Sequence, residues 1–151
     1  MTLNSKSGKS IFLADDDADD CLLFEDALRE VSQQIKLTTA NDGIELMDIL
    51  DRKVPPPPDV IFLDLNMPRK NGFECLIEIK HTDKLKNIPV VIFSTSSQPE
   101  TINRVYEQGA NYYVCKPGSF SKLKLVIQKV LDIDWNQHKP PRNKENFLIT
   151  L

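Results

Sequence analysis

"IFLADDDADD", residues 11–20, runs from four apolar or small residues straight into five aspartates spread over six positions. The apolar half has the length of a strand and does not alternate, as expected for a parallel strand covered on both faces. The acidic half is a set of like charges that repel one another. A helix start accounts for part of it, because Asp accepts hydrogen bonds from first-turn amides and its charge is favoured by the helix dipole. Asp17 is therefore read as the cap of a first helix, with Asp19 and Asp20 in its first turn. Asp15 and Asp16, at the strand end, are left without a structural reason.

Four further apolar runs have strand length: "IKLTTA" (35–40), "DVIFLD" (59–64), "IPVVIFS" (88–94) and "NYYVCK" (111–116). Only "IKLTTA" alternates, which suits an edge. Between the runs lie segments with helical spacing, clearest at Cys21, Phe24, Leu28 and Val31 and at Leu123, Val126, Ile127, Val130 and Leu131. Weaker ones cover 43–51, 72–82 and 99–108, the last stopped by Gly109. Strand and helix alternate five times, which predicts an α/β fold, a doubly wound five-stranded parallel sheet with helices on both faces. "KVPPPPD" (53–59) is read as a stiffened surface loop rather than a linker, since the next strand resumes at once. The expected organisation is a flexible N-terminus over 1–9, one domain over 10–132 and a C-terminal extension over 133–151.

The composition narrows the function. With 151 residues and 40% apolar content, the chain is sized for one core. Nineteen basic residues against 22 acidic give a net charge of −3, and no basic stripe follows a phosphate backbone, so direct nucleic-acid binding is not expected. The three cysteines, Cys21, Cys75 and Cys115, form no Cys-x-x-Cys pair and read as reduced, packed thiols of a cytoplasmic protein. No apolar run approaches the roughly 18 residues that span a bilayer, and no membrane association is expected.

In an open α/β sheet, ligands bind beyond the carboxyl ends of the strands where strand order reverses. The first run delivers Asp15 and Asp16 there; the third delivers Asp64, followed by Asn66; the fourth delivers Ser94; the fifth delivers Lys116. Unit charges about 4 Å apart interact by about 4 kcal/mol at an effective dielectric of 20, so three carboxylates do not gather for stability. A hard divalent cation resolves the repulsion, and magnesium takes oxygen ligands from one or two carboxylates, waters and phosphate oxygens. Lys116 pairs with a remaining carboxylate until phosphate arrives.

"FLADDD", "FLDLNMP", "VVIFST" and "YYVCKP" together resemble the four signatures of response-regulator receiver domains, in the family's order and spacing. The resemblance covers about residues 10–132 and is strongest to stand-alone receivers, including those that serve phytochrome-type histidine kinases. It implies a (βα)5 flavodoxin-like fold with strand order 2-1-3-4-5. It also implies that Asp64 is the phosphorylated nucleophile. Asp16, Asp64 and the Asn66 carbonyl would ligate Mg2+, with Asp15 acting through water. Lys116 and Ser94 would hold phosphoryl oxygens. Ser94 and Tyr113 would form the conformational switch, with Tyr113 turning inward and Tyr112 pointing to the other face. Pro117 implies a cis peptide after Lys116. Asn71-Gly72 stands where the family more often has Asp-Gly, and Thr95 is bulkier than the usual Ala or Gly.

The resemblance further implies a sensor histidine kinase or phosphotransfer protein as donor and a downstream protein target. The surface for output, or for a homodimer, would be the fourth helix, fifth strand and fifth helix. The protein would catalyse its own phosphorylation without being a turnover enzyme. "IFLADDDA" also resembles the first motif of haloacid-dehalogenase-type phosphatases, but the acidic pair that superfamily needs after the lysine is absent and Asp64 would have no role. A calcium loop fails because its sixth position is Asp20 and its twelfth is Asp26. His81 and His138 have no zinc-ligand partners at usable spacing and are expected on the surface. The tail, with Trp135 and Phe147, has three open roles: dimer contact, cover for exposed core, or disorder.

Overall fold

Strand β1 (Ser10–Ala14) buries Ile11 and Leu13 on one face and Phe12 and Ala14 on the other, which is why its sequence shows no alternation. The computed structural model describes residues 9–133, 135 and 144–150. Residues 1–8 of the stretch expected to be flexible, and His138, lie outside them. β1 is flanked by β2 (Lys36–Ala40) and β3 (Val60–Leu63); β4 (Val90–Ser94) and β5 (Tyr112–Cys115) follow, giving a parallel sheet of order β2-β1-β3-β4-β5. The alternating run is thus an edge strand, as expected.

Helices α1 (Ala18–Val31) and α5 (Phe120–Leu131) cover one face; α2 (Gly43–Lys53), α3 (Gly72–Lys80) and α4 (Pro99–Glu107) cover the other. The α1/α5 side is centred on Phe24, Phe62 and Phe93, whose rings meet edge to face at 4.9, 5.7 and 5.9 Å. On the opposite side Leu46, Leu50, Leu76 and Ile79 pack against Ile61, Leu63 and Ile92. The polyproline stretch is a loop between α2 and β3, with Pro58 buried and its neighbours exposed.

Helices α1, α2, α3 and α5 each begin where the sequence supplies a side-chain cap. The Asp17 carboxylate accepts from the N–H groups of Asp19 and Asp20 at 2.9 and 3.1 Å, Asp42 accepts from Glu45 at 2.8 Å, and Ser119 from Lys122 at 3.2 Å. Asn71 and Glu74 form a reciprocal capping box on α3. α4 has no side-chain cap and starts instead on Pro99.

Of the roles left open for the tail, the described residues take the covering one. A short helix α6 (Lys144–Phe147) leads into a parallel bridge between Leu148 and Tyr113, and Phe147 is 2% exposed.

Candidate functional site

The site is fixed by register. Ala14 pairs with Leu63, so the next residues, Asp15 and Asp64, leave the sheet abreast; the Asp64 N–H donates to the Ala14 carbonyl and the Asp15 N–H to the Ala40 carbonyl, both at 3.0 Å. From this edge α1 departs to one face and α3 to the other, which opens a crevice at the strand-order reversal.

Asp15 and Asp64 are buried, Asp16 is exposed, and one carboxylate oxygen from each lies within 4.8 Å of the others. Buried carboxylates lose hydration and repel, and the fold counters this with one cation. Lys116 Nζ donates to Asp15 Oδ2 and Asp20 Oδ2, each at 2.8 Å, and lies 3.6 Å from Asp64 Oδ2. The other Asp15 oxygen accepts the Asp17 N–H at 3.0 Å.

The charges remain unequal. Burial pushes Asp64 up to about 6; the nearby Lys116 ammonium opposes the rise and the Asp15 carboxylate adds to it. Burial also pulls Lys116 down, but its bonds to Asp15 and Asp20 and the attraction of Asp64 outweigh that and hold it above the ordinary lysine value. Burial is thus the larger influence on Asp64, and the Lys116 ammonium offsets it only in part. An oxygen-rich cluster with surplus negative charge suits a hard divalent cation, and a buried carboxylate beside a fixed ammonium suits attack on an anionic electrophile.

Ser94, at the end of β4, is fully buried and its Oγ accepts the Ser96 N–H at 3.2 Å. Tyr113 is also fully buried, on the α4 side of the sheet, and its hydroxyl donates to the Ser96 carbonyl at 2.8 Å; Tyr112 faces the α5 side. Asn66 is exposed in the loop after Asp64, and its backbone N–H hydrogen-bonds the Asp64 carboxylate. Thr95 is exposed beside Ser94. The expected residues are thus brought to one edge.

Two expectations need correction. Asp20, read as a first-turn residue alone, also carries an ion pair to Lys116, 96 positions away. A first-turn Asp looks the same in sequence whether or not it has such a partner, and only the seating of α1 beside the end of β5 supplies one. The peptide after Lys116 is not cis; the cis bonds of the described residues are Val54–Pro55 and Pro55–Pro56. Lys116 is aimed instead by its N–H bond to the Ser94 carbonyl at 2.8 Å and by its two carboxylate partners.

Comparison with known proteins gives a consistent result. The family model for the response regulator receiver domain matches residues 11–128. The response regulator Rcp1 of the cyanobacterium Synechocystis sp. is 33% identical over 86% of this chain and 91% of its own length. The solved structure of the Mn2+-bound form of Rcp1 has a TM-score of 0.74 and 31% identity, covering 88% of this chain and 99% of that one. The structure of the phosphorylated cyanobacterial phytochrome response regulator RcpA has a TM-score of 0.77 and 34% identity, covering 87% of this chain and 96% of that one.

Proposed function

Since the chain belongs to the response-regulator receiver family, we propose that it accepts a phosphoryl group on Asp64 from a histidine kinase or phosphotransfer protein of a phytochrome-type system. Membership of this family places it among signalling receivers rather than turnover enzymes. What supports the assignment to Asp64 is its position: its carboxylate is buried at the end of β3, the middle strand of the sheet, 3.6 Å from the Lys116 ammonium and within 4.8 Å of the Asp15 and Asp16 carboxylates.

In the transfer, an Asp64 oxygen forms a bond to phosphorus as the phosphorus–nitrogen bond of a phosphohistidine breaks, and the imidazole leaves. Lys116 offsets the charge of the phosphoryl oxygens, and the Ser94 hydroxyl donates to one of them. Asp15, Asp16, Asp64 and the Asn66 carbonyl are the groups that would hold Mg2+. Bound there, the ion supplies charge neutralisation, which an in-line phosphoryl transfer needs more than covalent help. Cluster chemistry supports a hard divalent cation, and Mg2+ is our choice within that class.

Phosphorylation draws Ser94 toward Asp64, and Tyr113 holds its inward position behind it. Residues 10–132 form the receiver unit, and output passes to a downstream protein through α4, β5 and α5 or through a dimer on that face. The test is intact-mass measurement after incubation with magnesium and a small phosphodonor or a candidate kinase. A single acid-stable, hydroxylamine-labile phosphoryl adduct is expected, absent in Asp64→Asn. An adduct that persists in that variant overturns the assignment.

A further inference from the structure

β5 is the outermost strand of the sheet, yet Tyr113 on it is fully buried. The cover comes from the chain's own C-terminal segment. Leu148 bridges Tyr113 in parallel, and the Ile149 N–H donates to the Tyr113 carbonyl at 2.9 Å. Leu148 packs toward the α4 side and Ile149 toward the α5 side, the alternation of a sixth strand. Lys129 on α5 holds the Thr150 carbonyl at 2.6 Å. Phe147 seats its ring 5.1 Å from Tyr106 and 6.3 Å from Tyr113.

The same tyrosine reaches the other way into the site, donating to the Ser96 carbonyl while Ser96 donates to Ser94. Tyr113 is therefore shared by Ser94's loop and the tail. A ring that swung outward would have to leave the Ser96 carbonyl and change its packing against Phe147.

We propose that residues 144–150 are a latch that holds Tyr113 inward, so that seating of the tail and phosphorylation of Asp64 favour each other. This rests on the phosphoryl-acceptor reading above. Coupling between two sites is reciprocal: whatever the tail adds to the inward state, occupation of Asp64 returns to the tail.

Hydrogen exchange of the full chain, with and without magnesium and beryllium fluoride as the phosphoryl analogue, tests the latch. The segment 145–150 is expected to be protected in the free protein, and its exchange to slow by about fivefold or more with the analogue. Phe147→Ala and Ile149→Pro, the second removing the donor to Tyr113, are expected to release that protection and weaken analogue binding by a similar factor, while β1 and β3 amides stay protected. The latch is overturned if the analogue binds normally and tail exchange does not respond. That comparison needs only the unaltered chain, so a variant that fails to fold leaves it decisive. If the analogue does not bind the unaltered chain at all, the phosphoryl-acceptor reading falls, and the latch with it.

Discussion

At the residue scale, Lys116 is the cation that, among the described residues, the three carboxylates of Asp15, Asp20 and Asp64 share. Removing one member of a buried ion-pair set leaves its partners charged and dry, which costs about 3–5 kcal/mol. Lys116→Ala is expected to lose about that much in a urea titration without divalent ions, and to recover part of it when magnesium is added. Asp64 gives a pH signature. Its folded pKa of about 6 lies above the ordinary 3.8, so the folded protein keeps a proton that the unfolded chain has already released. The stability gained from that proton is complete below the unfolded value and is lost as pH rises from about 4 through about 6. In magnesium-free buffer at pH 7, Asp64→Asn should therefore melt at a higher temperature than the unaltered protein, and the gap should close at pH 4. An equal difference at both pH values would count against the buried-charge account.

At the element scale, the loop from β3 to α3 holds Asp64 in place by close backbone approach. A Cβ on Gly72 would stand 2.2 Å from the Asp64 carbonyl oxygen, and one on Gly43 would stand 2.1 Å from the Lys70 carbonyl oxygen. Neither neighbour is a flexible side-chain tip, so the backbone must shift. Gly72→Ala is expected to cost about 1–3 kcal/mol in chemical denaturation, as overpacking does, and to slow phosphoryl adduct formation because Asp64 moves with the loop. Arg69, in the left-handed region at φ 67°, is held in the same loop by its ion pair with Asp42 at 3.0 Å. The Asn71–Gly72 sequence thus has two separate duties: Asn71 caps α3, and Gly72 admits the backbone that carries the nucleophile.

At the scale of the whole molecule, the outer side of β5 is closed by the C-terminal segment rather than left as an open edge, which in other proteins invites pairing with foreign strands. Deleting a buried phenylalanine from a core costs about 3–5 kcal/mol. Phe147→Ala should cost less than that in global unfolding, because the segment can undock while the sheet stays folded. The expected trace is a small fall in the urea midpoint accompanied by increased solvent exposure of Tyr113. No helix among the described residues is long and apolar enough to cross a membrane.

The sequence by itself determined the sheet, its parallel strands and the edge where Asp15, Asp16, Asp64, Ser94 and Lys116 meet. Apolar periodicity and strand ends are local properties, and the right-handed βα crossover carries them into three dimensions with little freedom. The cap at Asp17 was legible for the same reason, whereas Asn71 read only as a loop residue and its capping box with Glu74 came from the structure. Only the tertiary structure decided that Asp20 joins Lys116 and that Phe147 closes over Tyr113. Both contacts join elements far apart in the chain through side chains that, read locally, look like a helix-start acid and a tail aromatic, and only the placement of the start of α1 near Lys116 and of the tail along β5 gives them partners.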